Sequence, residues 1–376
     1  MAKRSKTTAR RATTASDPFA SRRARVKRSL AGHGAEAMLV SDPKDVAYLT
    51  GFLGGDSYLV IPARGKPTIL SDSRYLTELE PLAKAMGVHD RSGQKMHEAV
   101  AQVAGGERLA IQGETMTVQE RDLLAKAHGA RRLVPTAGVL AAMRAIKDDT
   151  EIANIRKAIR IHEAALEQVV PAIRPGMTEL EICADLEHAM MRGGSSGPAF
   201  GTIVGAGATS ALPHYAPQKR KLAKRGILLI DSGATFNGYR SDLTRTMCFG
   251  RWTHQERDVF SIVLEAHEAA AARLAPGVPC RDVDGAARDV ITRAGYGDKF
   301  RHGLGHGVGL NIHEAPSLSA RAPADALLKP GHVVTIEPGV YLPHKFGVRI
   351  EDDYLVTETG AKRLSRLGRD LDWATR

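Results

Sequence analysis

The stretch Ile227-Leu-Leu-Ile-Asp-Ser-Gly233 decides the fold, and Val333-Val-Thr-Ile-Glu-Pro-Gly339 repeats its pattern later in the chain. Each copy is a short apolar run that ends in an acid and a glycine. Each is followed by a second acid, Asp242 after the first copy and Glu351 after the second. Because short apolar runs are typical of buried strands, the repeat predicts two related strand units that carry carboxylates into the protein interior.

Histidines accompany the two copies. His214 precedes the first copy and His313 precedes the second, each in the pattern His-x-Ala-Pro. The second copy also has His302 and His306, whose spacing would suit a helical metal motif. The intervening and following glycines disfavour a helix, so we expect a loop that presents these imidazoles. His306 has no counterpart in the first copy.

The four acids predict a metal site. Asp231, Asp242, Glu337 and Glu351 would repel one another strongly if they were desolvated together without cations. Four carboxylates carry more charge than one divalent ion neutralises, so two ions that share carboxylates fit better. The oxygen-rich set with histidine suits Mn²⁺, Co²⁺, Zn²⁺ or Fe²⁺. For any single acid, a surface position or a pairing with a nearby arginine remains open.

The length and the charge bound the class of protein. A chain of 376 residues predicts two domains. The net charge is +11, but residues 1–28 hold ten Lys and Arg against the single acid Asp17, so the rest of the chain is nearly neutral. We therefore expect a disordered basic tail over residues 1–18 and no nucleic-acid partner. A transit peptide is the alternative interpretation of this tail.

Nothing in the composition indicates a membrane or a secreted protein. No apolar run approaches the length of a membrane span, so no membrane partner is expected. The odd number of cysteines, without metal-site spacing, predicts reduced core thiols in a cytoplasmic protein. These cysteines are Cys183, Cys248 and Cys280.

The chain is predicted to be α+β. Residues 19–145 alternate apolar runs with helical stretches, which favours an α/β domain. The runs are Ala37–Val40, Tyr58–Pro62, Thr68–Ser71 and Arg108–Gln112, and the helical stretches include Ser73–Met86 and Val118–His128. Residues 146–376 form the second domain, in which we expect a long helix after Asp148 and helices after the capping boxes at Thr178 and Thr253.

Several motifs together resemble one family. They are Ile230-Asp-Ser-Gly233, Gly238-Tyr-Arg-Ser-Asp-Leu-Thr-Arg-Thr246, His302-Gly-Leu-Gly-His306, Ile312-His-Glu314, Ile336-Glu-Pro-Gly339 and Gly347-Val-Arg-Ile-Glu-Asp352. In combination they resemble the proline-specific metallopeptidases of the pita-bread fold, aminopeptidase P and prolidase. Upstream, Ser41-Asp-Pro-Lys-Asp-Val-Ala-Tyr-Leu-Thr-Gly-Phe52 resembles their non-catalytic N-terminal domain. The resemblance implies a creatinase-like N-terminal domain followed by a pita-bread domain with an internal pseudo-twofold duplication.

The resemblance also implies a role for each site residue. Asp242 and Glu351 would bridge two divalent ions, and the full ligand set would be Asp231, Asp242, His306, Glu337 and Glu351. Glu337 would also be the acid and base of the reaction. His313 would stabilise the developing oxyanion, while His214, His302 and His313 would contact the substrate. Arg349 would pair either with Asp231 or with the substrate.

The implied activity is hydrolysis of Xaa-Pro bonds, at peptide N-termini or in dipeptides, by a metal-bridging hydroxide. Mn²⁺ is the first expectation for the metal, the partners are peptides with proline at the second position, and a homodimer is expected. Aminopeptidase P and prolidase are not distinguished by these residues. Arg321 is a candidate for binding a dipeptide's carboxylate, the alternative being a solvated loop arginine. Two other functions remain open: hydrolysis of another small C–N substrate, as in creatinase, and non-catalytic binding of peptides or nucleic acid.

Overall fold

The structure is a computed structural model that describes residues 18–376. The described residues divide into two compact units, of which the first ends at Ala137 and the second is Gly138–Arg376. The predicted domain boundary, after residue 145, differs from this division by the one short helix Val139–Ala145. Nearly all of the predicted tail, residues 1–17, lies outside the described residues, and Pro18 begins the first helix.

The first unit is a six-stranded mixed sheet with helices, as expected for an α/β domain. The strands lie in the order β4-β3-β2-β1-β5-β6, and β1, β5 and β6 are parallel. Their bounds are β1 Ala37–Val40, β2 Tyr58–Pro62, β3 Thr68–Ser71, β4 Gly87–Asp90, β5 Leu109–Gln112 and β6 Leu133–Thr136. The helices are α1 Pro18–Ser29, α2 Pro43–Thr50, α3 Leu76–Leu79, α4 Met96–Ala104 and α5 Val118–Leu124.

One predicted helix of this unit is wrong in extent. The stretch Ser73–Met86 was expected to be continuous, but the structure has only α3, followed by a tighter 3₁₀ segment, Glu80–Lys84. Pro81 lies in that segment. Proline lacks the amide hydrogen that an α-helix needs and its ring clashes with the preceding turn, so the regular helix ends before it.

The second unit contains two halves of similar build. Each half has two long helices and an antiparallel pair of strands, β8 (Gly226–Ser232) with β11 (Leu243–Phe249) in the first half and β14 (Val333–Ile336) with β17 (Asp352–Val356) in the second. The helices are α6 Val139–Ala145, α7 Asp149–Val169, α8 Glu179–Arg192, α9 His254–Ala272, α10 Cys280–Arg293 and α11 Leu371–Ala374. Capping boxes at Asp148, Thr178 and Thr253 begin α7, α8 and α9. The boxes at the two threonines were predicted from the sequence.

The strands of the second unit carry the site. Their bounds are β7 Ile203–Ala206, β8 Gly226–Ser232, β9 Thr235–Phe236, β10 Tyr239–Arg240, β11 Leu243–Phe249, β12 Gly305–Gly307, β13 Glu314–Leu318, β14 Val333–Ile336, β15 Gly339–Leu342, β16 Phe346–Arg349, β17 Asp352–Val356 and β18 Ala361–Arg363. The two main sheets have the orders β11-β8-β7 and β13-β12-β14-β17-β18. The segment around His306 is not helical, as expected from the glycines, but His306 lies in the short strand β12 and not in the predicted loop.

Each half of the second unit has its own cluster of buried apolar residues. One apolar cluster packs α7 and α8 against the first sheet, around residues such as Leu186 and Leu228. A second cluster packs α9 and α10 against the second sheet, around Phe260 and Val334. Cys248 and Cys280 are buried free thiols, and Cys183 is half-buried. Within residues 18–376, no helix has both the length and the apolar character needed to cross a membrane.

Candidate metal centre

Two acids of the first half lie on the antiparallel pair β8 and β11. Asp231 is near the end of β8, directly opposite Thr244 of β11, and Asp242 immediately precedes β11. Both acids are buried, each beside one apolar core residue, Ile230 for Asp231 and Leu243 for Asp242. The backbone N–H of Asp242 donates to the carboxylate of Asp353 in β17 at 3.2 Å. The first half thus delivers two buried carboxylates to the seam with the second half.

The second half delivers its two acids to the same seam. Glu337 follows β14, and its N–H donates to the carbonyl of Leu304 at 2.9 Å. Glu351 lies between β16 and β17, and its N–H donates to the carbonyl of Thr244 in the first half at 3.1 Å. The side chain of Glu351 is 1% exposed. Two backbone hydrogen bonds, one within the second half and one between the halves, therefore set where these carboxylates lie.

His306 joins the acids from the centre of β12. Its Nε2 lies 3.4 Å from Oε1 of Glu337 and 3.7 Å from Oδ2 of Asp242. Ligand atoms of Asp242, His306 and Glu351 all lie within 4.8 Å of one another, a spacing that one cation can span. The structure therefore brings together four of the five predicted ligands, and Asp231 lies beside them.

Asp231 is connected to the cluster through Arg349. Nη2 of Arg349 contacts Oδ2 of Asp231 at 2.5 Å, and its Nε donates to the hydroxyl of Thr244 at 3.0 Å. That hydroxyl in turn donates to Oε2 of Glu351 at 2.7 Å. Arg349 is only 2% exposed. Of the two partners that the sequence left open for this arginine, the structure shows Asp231.

The protein alone does not neutralise this cluster. Burial raises the pKa of Asp242 and of Glu351 well above the usual carboxyl range, and the neighbouring acids raise both further. Burial also raises the pKa of Glu337 to about 8, and that of Asp231 is raised in spite of Arg349. One arginine among four acids leaves excess negative charge, which is the condition that favours divalent cations.

Two buried oxygens support the same conclusion. Oδ1 of Asp231 and Oε1 of Glu351 have no hydrogen-bond partner among the described residues, although both are shielded from solvent. Such atoms are rare in folded proteins, because an unpaired buried carboxylate oxygen costs free energy. Carboxylate oxygens together with one imidazole nitrogen form a donor set that suits Mn²⁺ and its neighbours in the transition series. The residues present therefore fit a divalent metal.

The four predicted histidines differ in their surroundings. His302 is fixed, since its Nε2 pairs with the hydroxyl of Tyr341 at 2.9 Å and its Nδ1 with the carbonyl of Gly303 at 2.8 Å. The ring of His313 lies edge-on to that of His306, with 4.3 Å between centroids. His214 and His313 are both exposed. Partial desolvation of the accessible His313 ring lowers its pKa, and nearby His214 lowers it further.

Three residues near the acids were not singled out as site residues from the sequence. Thr244 links Arg349 to Glu351, Tyr341 holds His302 and Arg349, and Asp353 accepts the N–H of Asp242. The alternation along β11 places Thr244 on the face of Asp242, which was a usable signal. Tyr341 and Asp353 had no such signal, because their contacts depend on how separate strands pack.

A buried cage of carboxylates with one imidazole, flanked by exposed imidazoles, defines a metallohydrolase centre. Comparison with known proteins identifies the class. Residues 153–358 match metallopeptidase family M24, and residues 22–146 match the creatinase/prolidase N-terminal domain. The chain belongs to metallopeptidase family M24 and is a peptidase. A non-catalytic binding protein, left open by the sequence, is thereby excluded.

The similarity to individual relatives extends over nearly the whole length of this chain. The Xaa-Pro dipeptidase of Pyrococcus furiosus is 35% identical over 338 residues, which cover 89% of this chain and 95% of the relative. The solved Xaa-Pro dipeptidase from Bacillus anthracis superimposes with a TM-score of 0.90 at 32% identity, over 94% of this chain and 99% of that one. The solved X-Pro aminopeptidase from Thermotoga maritima superimposes with a TM-score of 0.84 at 35% identity, over 91% of this chain and 99% of that one. These matches confirm the α+β class and the pita-bread fold.

Proposed function

We propose that this peptidase hydrolyses Xaa-Pro bonds, at peptide N-termini or in dipeptides, with two divalent ions. The residues that would hold the ions are Asp231, Asp242, His306, Glu337 and Glu351. The observation that carries the metal proposal is the buried acidic cluster with unpaired oxygens on Asp231 and Glu351. The substrate proposal is supported by relatives named Xaa-Pro dipeptidase and X-Pro aminopeptidase.

Divalent ions bound here would supply Lewis-acid chemistry, polarising a carbonyl and making water more acidic. The chain's own contribution to proton transfer is assigned to Glu337. Its carboxylate takes a proton from the attacking water and returns it to the imino nitrogen of proline as the C–N bond breaks. Glu337 suits this role because its side chain is 18% exposed, whereas Glu351 is closed off from solvent.

The exposed imidazoles are assigned to the substrate. His313 would donate a hydrogen bond to the carbonyl oxygen as negative charge develops on it, and preorganised donors of this kind lower the barrier. A neutral ring can donate, and burial keeps the pKa of His313 below its usual 6.5. His214 would contact the substrate from the opposite side, and His302, fixed by Tyr341, would line the pocket. A direct substrate contact by Arg349 stays a prediction.

The remaining expectations complete the proposal. We propose Mn²⁺ as the native metal, with Co²⁺, Zn²⁺ and Fe²⁺ as competitors for the same oxygen-rich ligands. A homodimer and a cytoplasmic location are proposed with it. Arg321 is exposed and forms no hydrogen bond or ion pair with another residue of the described range, 18–376, so it is accessible to a dipeptide's free carboxylate.

The test compares three peptides with protein loaded with Mn²⁺. The dipeptide Ala-Pro, the tripeptide Ala-Pro-Ala and the matched control Ala-Ala are each incubated with enzyme, and release of free alanine is measured. We expect cleavage of at least one proline peptide and far slower cleavage of Ala-Ala. Preference for the dipeptide assigns a dipeptidase, and preference for the tripeptide an aminopeptidase. Loaded protein that cleaves neither proline peptide would contradict the proposal.

A further inference from the structure

Residues 212–217 form the loop that carries His214. Within residues 18–376, His214 forms no hydrogen bond or ion pair, unlike His302, which is held by two partners. Since the imidazole is also exposed, no hydrogen bond or ion pair to another residue of the described range fixes it. The position of this ring therefore depends on the backbone of its loop.

The chain is anchored on both sides of this loop. Upstream, β7 leads into a short 3₁₀ helix, Gly207–Ala211. Downstream, residues 218–222 pair with the segment before α8, since Leu222 N–H donates to Met177 O at 2.7 Å and Glu179 N–H donates to Arg220 O at 3.0 Å. The loop is thus a bridge between two fixed ends.

The carboxylate of Glu179 ties these two ends together. Its Oε1 accepts from the N–H of Ala206 at 3.0 Å and from the hydroxyl of Thr209 at 2.7 Å, both upstream of His214. Its Oε2 accepts from the hydroxyl of Tyr215 at 2.8 Å and from the N–H of Gln218 at 3.0 Å, both downstream. One side chain therefore sets the distance across the loop.

Four hydrogen bonds compensate for a costly burial. Glu179 is 0% exposed, and no lysine, arginine or histidine in the described range forms an ion pair with it. Its four donors and its place in the first turn of α8, where the helix dipole favours negative charge, stabilise the carboxylate instead. Burying a neutral residue here would cost less free energy. The buried carboxylate therefore indicates that its hydrogen bonds to both sides of the loop are required.

We propose that Glu179 is a positioning residue, which acts on the substrate through His214. This inference rests on the proposed function, in which His214 contacts the substrate. It adds to that function a specific dependence of His214 on a carboxylate outside the metal centre.

The substitution Glu179→Gln tests the proposal with little change of volume. A glutamine offers one oxygen and one NH₂ group, so either the N–H of Ala206 or the N–H of Gln218 must face another donor. One end of the loop then loses its anchor. We expect kcat/KM for the proline peptide to fall about tenfold or more, mainly through a higher KM, with metal content unchanged.

Two further variants keep the test interpretable. Glu181→Gln makes the same change two residues further along α8, where the carboxylate accepts hydrogen bonds from Thr178 and does not contact the loop, so it controls for helix stability. Tyr215→Phe removes a single donor and leaves Glu179 in place. It should produce a smaller loss of the same kind, and it serves if Glu179→Gln does not fold.

A double-mutant cycle with His214→Ala separates positioning from general stability. If Glu179 acts through His214, Glu179→Gln lowers kcat/KM in the wild-type background and has no further effect in the His214→Ala background. Equal losses in both backgrounds, or full activity of folded Glu179→Gln, would overturn the inference and leave the proposed function intact. If His214→Ala is fully active, the inference also fails. A wild-type enzyme that cleaves no proline peptide instead overturns the proposed function itself.

Discussion

At the scale of single residues, His306 is the member of the cage that has no counterpart in the other half. Its imidazole contacts Asp242 and Glu337, one acid from each half. Burial lowers the pKa of His306 to about 4, so the ring is neutral at pH 7 and a nitrogen lone pair is available for a metal. Because only one half supplies an imidazole, the two proposed metal positions are expected to be inequivalent.

Replacement of His306 tests this asymmetry. His306→Ala should lower kcat/KM by more than about 100-fold and reduce the affinity for one ion much more than for the other, because the carboxylates remain. Metal content after dialysis, measured by mass spectrometry, reports the difference. His254→Ala is the matched control, since that histidine is 94% exposed at the start of α9 and is not a residue of the cage. A His306→Ala enzyme with both ions and full turnover would refute the assignment.

At the scale of elements, the short strand β12 decides where His306 lies. Gly305 and Gly307 flank it, and both are packed against backbone. A Cβ at Gly305 would lie 2.1 Å from the carbonyl oxygen of Thr335, and one at Gly307 would lie 2.3 Å from that of Ala315. Any side chain there must push neighbouring strands apart, so these glycines permit the close approach that places the imidazole.

The substitution Gly305→Ala should therefore damage both stability and metal binding. We expect the free energy of unfolding to fall by about 3 kcal/mol, a size typical of overpacking against rigid backbone. Gly360→Ala is the control, because, apart from its chain neighbours, no residue of the described range has an atom within 4 Å of the position of its Cβ. It should change stability by less than about 0.5 kcal/mol. Thermal or urea unfolding of both variants measures the contrast, and equal stabilities would show that β12 tolerates a side chain.

Sequence patterns predicted most elements but not every contact. The strands β1, β2 and β3 have the predicted ends and the helix α8 has the predicted start, because apolar runs and a capping box mark them locally. The continuous helix predicted for Ser73–Met86 is wrong, because Pro81 ends the regular helix. The acids of the cage were predictable, since charged residues after apolar runs are conspicuous. The contacts of Tyr341, Asp353 and Glu179 were not, because they depend on the packing of strands and loops that are distant in sequence.

At the scale of the whole molecule, the acidic cage makes the metal part of the folded state's energetics. Folding buries four carboxylates near one arginine, so the metal-free protein must hold protons there instead of cations. Binding of an ion to the folded state alone stabilises it by mass action. Removal of metal should therefore lower the melting temperature, and the size of the loss should depend on pH.

The direction of that dependence follows from Glu337. Its pKa rises from 4.5 to about 8 on folding, so the folded metal-free protein binds a proton that the unfolded chain has lost. Stability from this group is present at low pH and is lost as the pH rises towards 8. The buried His302 and His306 have the opposite effect, but only below their usual pKa of 6.5. Between pH 6.5 and 8 the carboxyl effect remains.

We therefore expect metal-free protein to lose stability as the pH rises from 6.5 to 8, by at most about 1.4 kcal/mol per pH unit for each proton involved. Chemical unfolding in the presence of a chelator measures this slope. Glu337→Gln cannot titrate and should make the slope less steep, with Asp242 and Glu351 supplying the rest, and excess Mn²⁺ should abolish the slope. Stability that rises over this range in metal-free wild type would contradict the electrostatics of the cage.

The most direct test of the central claim is a titration of metal-free enzyme with Mn²⁺ while cleavage of a proline peptide is followed. Asp242→Asn, which lacks one shared carboxylate, is titrated in parallel, and Asp325→Asn, an exposed acid in a loop, is the control. We expect no cleavage without metal. The wild type and the control should reach full activity at two ions per chain, and Asp242→Asn should have almost no activity. Cleavage by rigorously metal-free protein, or full activity of Asp242→Asn, would contradict the central claim.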